Sequence, residues 1–254
     1  MIPRTADTAA ALGGIVGGLA FSSFVTDLPS RSRLSMMGSY VSELSVAGRP
    51  ASGRFRATDI VAGTGIVLLA AALARRMPPG RRRWSGCCAL AAGGLASIVD
   101  GLLPMACAPS VDARCRARHR TGVVTQVADP HVVSSLAGFS ALILGILLVA
   151  MIVRRLPAPG PWQRSGPIVA VLLATLGAAE VALGMNDTYG VGLLERIQIL
   201  IISGWLCAAG VFLLRRTLTR KPTRERLPPP RPPGRPRAGR SSGTATPTPP
   251  NLHS

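Results

Sequence analysis

Six apolar stretches, each near the length that crosses a bilayer, divide this chain. A spanning helix takes about 20 mostly apolar residues, because each rises about 1.5 Å through a hydrocarbon core roughly 30 Å thick. The stretches are Thr8–Thr26, Asp59–Leu73, Ser85–Leu103, His131–Val153, Gly166–Met185 and Ile197–Leu214. The second is short as it stands and extends from about Arg56 to Ala74. Lipid offers no hydrogen bonds, so every spanning segment must satisfy its own backbone, and helices do so. The expected fold class is therefore all-α: a polytopic membrane bundle of six transmembrane helices over residues 1–216, with a basic, Pro-rich disordered tail over 217–254.

Composition agrees. Only 16% of residues are charged, against about 25% in an ordinary soluble domain. The net charge of +18 taken alone suggests nucleic acid as a partner, but half of it, +9, lies between Arg215 and the C-terminus. Nucleic acid is accordingly excluded as a partner. The tail instead has the composition of solvated disorder beside a stop-transfer anchor, with anionic lipid headgroups as a further partner. Arginine outnumbers lysine 28 to 1, a bias that points to a high-GC bacterial genome. The first stretch has a weak charged lead (Arg4 opposed by Asp7) and no small-residue cleavage site after it. It reads as an uncleaved helix rather than a signal peptide.

The joining segments set the orientation. Arg75, Arg76, Arg81, Arg82 and Arg83 fill one, and Arg154, Arg155 and Arg164 another, with no acid among them. Lys and Arg in short loops favour the cytoplasm. Placing these loops and both termini inside gathers 19 of the 29 basic residues there and leaves nine of the eleven acids outside. The expected location is the plasma membrane, with N- and C-termini cytoplasmic. The misfit is the first outer loop, which carries Arg31, Arg33, Arg49, Arg54 and Arg56.

Under this topology several ionisable residues fall at the outer ends of helices: Glu43 in the first outer loop, Asp59, Asp100, His131, Glu180 and Arg196, with Glu195 beside the last. An ionisable residue inside a membrane is costly and marks either a function or a specific partner. Each also has a structural reading. Asp59 can answer the dipole of its helix, Asp129 and Pro130 start the helix of His131, and Arg196 can pair with Glu180, Asp187 or Glu195. Asp100, Glu180 and His131 together are the candidates for one organised polar site. Carboxylates and a histidine are the groups of acid–base or metal chemistry. The spacing matches no His-Glu-x-x-His, Gly-x-Ser-x-Gly or Walker-type motif, and no cofactor or metal is expected.

Cys107 and Cys115 lie in an outer loop, where disulfides persist. Cys107-x7-Cys115-x3-His119 lacks a Cys-x-x-Cys pair and a fourth ligand, so it reads as a disulfide rather than a metal site. Cys87, Cys88 and Cys207 read as small packing residues, and Gly14-x-x-x-Gly18 and Gly93-Gly94 as close helix contacts within the chain. His253 is expected to be solvated and without a role.

Three segments resemble a known family. They are Ser42-Glu43-Leu44 with Gly48-Arg49-Pro50 and Arg54-Phe55-Arg56-Ala57-Thr58-Asp59; Asp100-Gly-Leu-Leu-Pro104 with Cys107 and Cys115; and His131 with Ser134-Ser135 one turn on. Over about residues 10–215 the chain is similar to the bacterial family called domain of unknown function 998. The resemblance implies a six-helix membrane protein, carries no activity with it, and makes Glu43, Asp59, Asp100 and His131 of interest as one outer-face set.

Three functions fit. The favoured one is a non-enzymatic membrane protein with a structural, sensory or partner-binding role. The second is a membrane-embedded hydrolase or lipid-modifying enzyme using the outer carboxylates and histidine. The third is a small-molecule or ion carrier, disfavoured because the middles of the spans are nearly featureless. The sequence leaves the oligomeric state open.

Overall fold

The computed structural model describes residues 4–27, 34–120, 129–155, 161–185 and 189–219. All lie in one compact unit, Met1–Arg220. The tail, Asn186, Asp187 and His253 fall outside the described residues.

Seven α-helices are described: α1 (Arg4–Phe21), α2 (Ser52–Arg76), α3 (Arg81–Leu102), α4 (Ala113–Arg120), α5 (Pro130–Val153), α6 (Pro161–Met185) and α7 (Val191–Thr219). Two short 3-10 turns, Ser23–Thr26 and Val41–Ser45, complete the set, and no strand occurs among the described residues. Helices α2, α3, α5, α6 and α7 are long and apolar enough to cross a membrane. Helix α1 is apolar but shorter, 18 residues. The apolar run expected to carry it to Thr26 breaks after Phe21 into a 3-10 turn.

The long helices form a closed ring. α1 packs on α2, α2 on α3, α3 on α5, α5 on α6 and α6 on α7, and α7 returns to α1. Neighbours run in opposite directions: Asp7 at the start of α1 meets Arg76 at the end of α2, and Arg56 at the start of α2 donates to Gly101 O at the end of α3, 2.9 Å away. One end of the ring therefore collects the arginines of the α2–α3 and α5–α6 turns. The other, the acidic end, collects Asp59, Asp100, Glu180 and Glu195.

Ile66, Leu69, Leu90, Ile146, Ile202 and Leu206 fill the interior with no exposed surface. The outside of the ring is apolar too: Ile168 is 71% exposed, Val171 65% and Leu19 64%. A soluble bundle would expose polar side chains there, whereas lipid-facing helices must not. Close packing between helices rests on glycine. A Cβ on Gly17 of α1 would sit 3.1 Å from the Cα of Gly65 in α2, so these two backbones approach as only small residues allow. The glycines singled out in sequence all pack within the chain: Gly14 against Leu69, Gly18 against Ser203 and Cys207, Gly93 against Leu142, and Gly94 against Gly63 and Ile66.

Residues 34–51 and 103–112 close over the acidic end as a cap. Leu34 and Leu44 pack with Phe24, Phe55 and Ile199, while Val46 packs with Met105 and Ala108. These apolar anchors seat the cap on the ends of α2 and α7.

Candidate functional site

The polar residues at the acidic end form two groups. The first lies between α3 and α5. The Asp129 carboxylate accepts the N–H of His131 at 3.0 Å, and Pro130 opens the helix, so α5 begins where the sequence indicates. His131 thus stands in the first turn, with Ser134 and Ser135 one turn on along the same side. Both hydroxyls donate to Asp100 near the end of α3, Ser134 to Oδ1 and Ser135 to Oδ2, the latter at 2.8 Å. His131 Nδ1 lies 3.7 Å from Asp100 Oδ1 and 3.0 Å from the Leu103 carbonyl, and Nε2 lies 3.4 Å from Ser135 Oγ. The imidazole is buried, at 3% exposure.

The second group holds the cap. Glu43 is fully buried. Its Oε1 accepts the Tyr40 N–H at 3.2 Å, and its Oε2 accepts the Ser110 N–H at 3.3 Å together with the Ser110 hydroxyl. Ser39 in turn donates to the Ser110 hydroxyl at 2.8 Å. Burial raises the Glu43 carboxyl above its ordinary value, partly offset by the Ser110 hydroxyl and by the Tyr40 and Ser110 N–H groups. On α7, Glu195 accepts the N–H groups of Val41 and Ser42. The neighbouring Arg196 donates from one nitrogen to the carbonyls of Met36 (3.0 Å), Ser39 (2.8 Å) and Gly192 (2.8 Å). Its guanidinium carbon also lies 5.8 Å from the centre of the Phe24 ring. These three hydrogen bonds all go to backbone carbonyls, and the Glu195 carboxylate lies within electrostatic reach of the guanidinium.

Asp59 and Glu180 differ from both groups. The Asp59 carboxyl lies within electrostatic reach of Asp100 and of Glu195. Glu180 is within reach of Glu195. The structure thus joins Asp100 to His131 directly and Glu43 to the cap. Among the described residues no three His, Cys, Asp or Glu side chains are arranged to hold a metal ion.

Cys107 and Cys115 are joined as a disulfide, their Cα atoms 6.0 Å apart. The bond closes the turn that begins α4, next to Ser110, the partner of Glu43. The side chain of His119 lies outside the described residues. Residues that the sequence reading left without a site role complete the network: Tyr40, Ser39 and Ser110 around Glu43, Ser134 and Ser135 around Asp100, and Glu195. The serine pair had a visible signal, its one-turn spacing from His131. Ser110 had none, since its partner is 67 residues away in sequence.

A ring of apolar-surfaced helices with charge confined to its ends defines a multi-pass membrane protein. The model of the family described as "Protein of unknown function (DUF998)" matches residues 15–212, and the chain belongs to that family. No characterised protein and no solved structure matches it.

Proposed function

We propose that this is a six-span protein of the bacterial plasma membrane with both termini in the cytoplasm. In this reading α1 crosses as the sixth span, the acidic end faces outward, and the cap acts by binding or sensing a partner rather than by catalysis. The orientation rests on the loop arginines, which favour the cytoplasmic side, and on the disulfide in the opposite cap, which suits an oxidising compartment. One observation carries the non-enzymatic reading: Glu43 and Glu195 accept hydrogen bonds from backbone N–H groups of the cap, and Arg196 donates to its backbone carbonyls. Groups engaged in this way hold a surface in one shape and are poorly placed to exchange protons with a substrate.

A membrane-embedded hydrolase is the second reading, favoured by Asp100, His131 and Ser135 standing in acid–imidazole–hydroxyl order. The hydrogen bonds oppose it. Ser135 has one proton and directs it to Asp100, and the carbonyl of Leu103 lies closer to Nδ1 than the carboxylate does. A working triad needs the serine proton on the imidazole and the carboxylate on Nδ1.

The test is to treat the purified full chain with a serine-directed fluorophosphonate and, separately, with membrane phospholipids. The proposal expects no adduct at Ser135 and no released fatty acid or headgroup. An adduct abolished by Ser135→Ala, together with lipid turnover that the same change removes, would establish the hydrolase instead.

A further inference from the structure

The arginine end carries a feature that the acidic end does not explain. Between the start of α3 and the end of α5 lies an open cavity of about 540 Å³. Arg81, Arg82 and Arg83 line one side and Arg155 the other, and no carboxylate is among the lining residues. Met151 and Ile152 of α5, both half-buried, form its apolar wall. Pro78-Pro79-Gly80 makes the turn that sets α3 here, Gly80 adopting a φ of 152° that favours glycine. No side chain caps α3, and the N–H groups of Arg83 and Trp84 turn back to the Gly80 carbonyl, at 3.1 and 3.4 Å. The Arg83 Nε is buried with no hydrogen-bond partner among the described residues, while its guanidinium lies 4.9 Å from the centre of the Trp84 ring. Trp84 is itself 57% exposed at this helix end, the level at which tryptophan meets the membrane interface.

Arg83 also donates to the Met77 carbonyl at 3.4 Å, but no carboxylate lines the cavity to answer its four arginines, and Met151 and Ile152 give it an apolar side. We infer that this cavity binds the phosphate of an anionic membrane phospholipid, with the glycerol and chains lying along Met151 and Ile152. The phosphate chemistry alone would also suit free inorganic phosphate; the apolar wall favours the lipid. The site is built into the helical ring and is distinct from the basic tail. It requires that the helices span a membrane and does not depend on what the acidic end does.

Native mass spectrometry of the full chain in detergent tests this, using phosphatidylglycerol, phosphatidylcholine and inorganic phosphate as probes. Each arginine beside an anionic lipid surface contributes about fivefold to binding. The wild-type chain is expected to hold phosphatidylglycerol at least about fivefold more tightly than phosphatidylcholine. Arg82→Gln with Arg155→Gln should weaken phosphatidylglycerol binding at least about fivefold while leaving phosphatidylcholine unchanged, and Arg82→Lys with Arg155→Lys should keep most of the preference. A tail variant, Arg231→Gln with Arg235→Gln and Arg237→Gln, should bind as wild type. The inference is overturned if the cavity variant keeps its preference, if the tail variant alone loses it, or if millimolar inorganic phosphate displaces the lipid completely.

Discussion

Glu195 on α7 accepts the backbone N–H of Val41, a residue 154 positions earlier, while Arg196 beside it donates to the carbonyl of Ser39 at 2.8 Å. Two adjacent residues of opposite charge therefore grip two points of one turn, one through its donor and the other through its acceptor. Both side chains are 6% exposed, so each grip is made where water does not compete.

Arg196→Met keeps the length of the side chain and removes its donors. The carbonyls of Met36, Ser39 and Gly192 then lose a charged partner, at a cost of about 1–3 kcal/mol for each acceptor left buried and unsatisfied. Hydrogen exchange read by mass spectrometry should show residues 34–46 exchanging faster in the variant, with the middle of α3 unchanged. Equal exchange in both proteins would mean that the apolar anchors Leu34 and Leu44 hold the cap without help.

At the opposite end Asp7 ties α1 to α2, accepting from Arg76 Nε at 2.9 Å and from Arg75 at 3.4 Å. The Asp7 side chain is 8% exposed and the arginines 23% and 34%, so the pair is shielded on one side only. Asp7→Ala should lower stability by about 1.5–3 kcal/mol, the range for hydrogen bonds to charged groups. A double-mutant cycle of Asp7→Ala with Arg76→Gln, read as Tm in detergent, should give a non-additive term. Strict additivity would show that the two residues act independently.

The helical architecture was legible because lipid-length apolar runs and helix-start residues are local signals. Asp129-Pro130 marks the start of α5 to the residue. The first span was less legible: its apolar run continues through Phe24 and Val25, and packing of Phe24 with Leu34 and Leu44 turns the chain before the run ends. Of the candidate site, the Asp100–His131 proximity could be expected from two helix ends that share one face of the membrane. The cap could not. Glu43 meets Ser110, and Arg196 meets Ser39, across separations of 67 and 157 residues, and no periodicity reports contacts of that kind.

The disulfide makes a count that can be read directly. Of five cysteines, Cys87, Cys88 and Cys207 are free. Labelling the denatured chain should modify three thiols without reductant and five with it. Replacing Cys107 and Cys115 by serine should cost about 2–3 kcal/mol on the entropic account of a short closed loop. The loss should appear first as faster exchange around Ser110, because the bond fixes the turn that presents this residue to Glu43. Five labelled thiols without reductant would remove the bridge from the account of the cap.

Glu43 gives the cap a pH dependence whose sign follows from burial. Its carboxyl titrates above its ordinary 4.5 in the folded chain, because burial penalises the charged form more than Ser110 and the N–H groups of Tyr40 and Ser110 favour it. Between the unfolded and folded values the folded chain binds more protons, so stability must fall as pH rises through that interval. The contribution of the neutral acid is complete below about pH 4.5 and is lost as pH climbs through the raised folded value. Glu43→Gln keeps an acceptor for Ser110 and cannot ionise. Its Tm should match wild type near pH 4 and exceed it increasingly toward pH 7. A wild-type chain that instead gains on the variant as pH rises would show that the hydrogen bonds to the carboxylate outweigh its burial, and that the cap is held by the charged form.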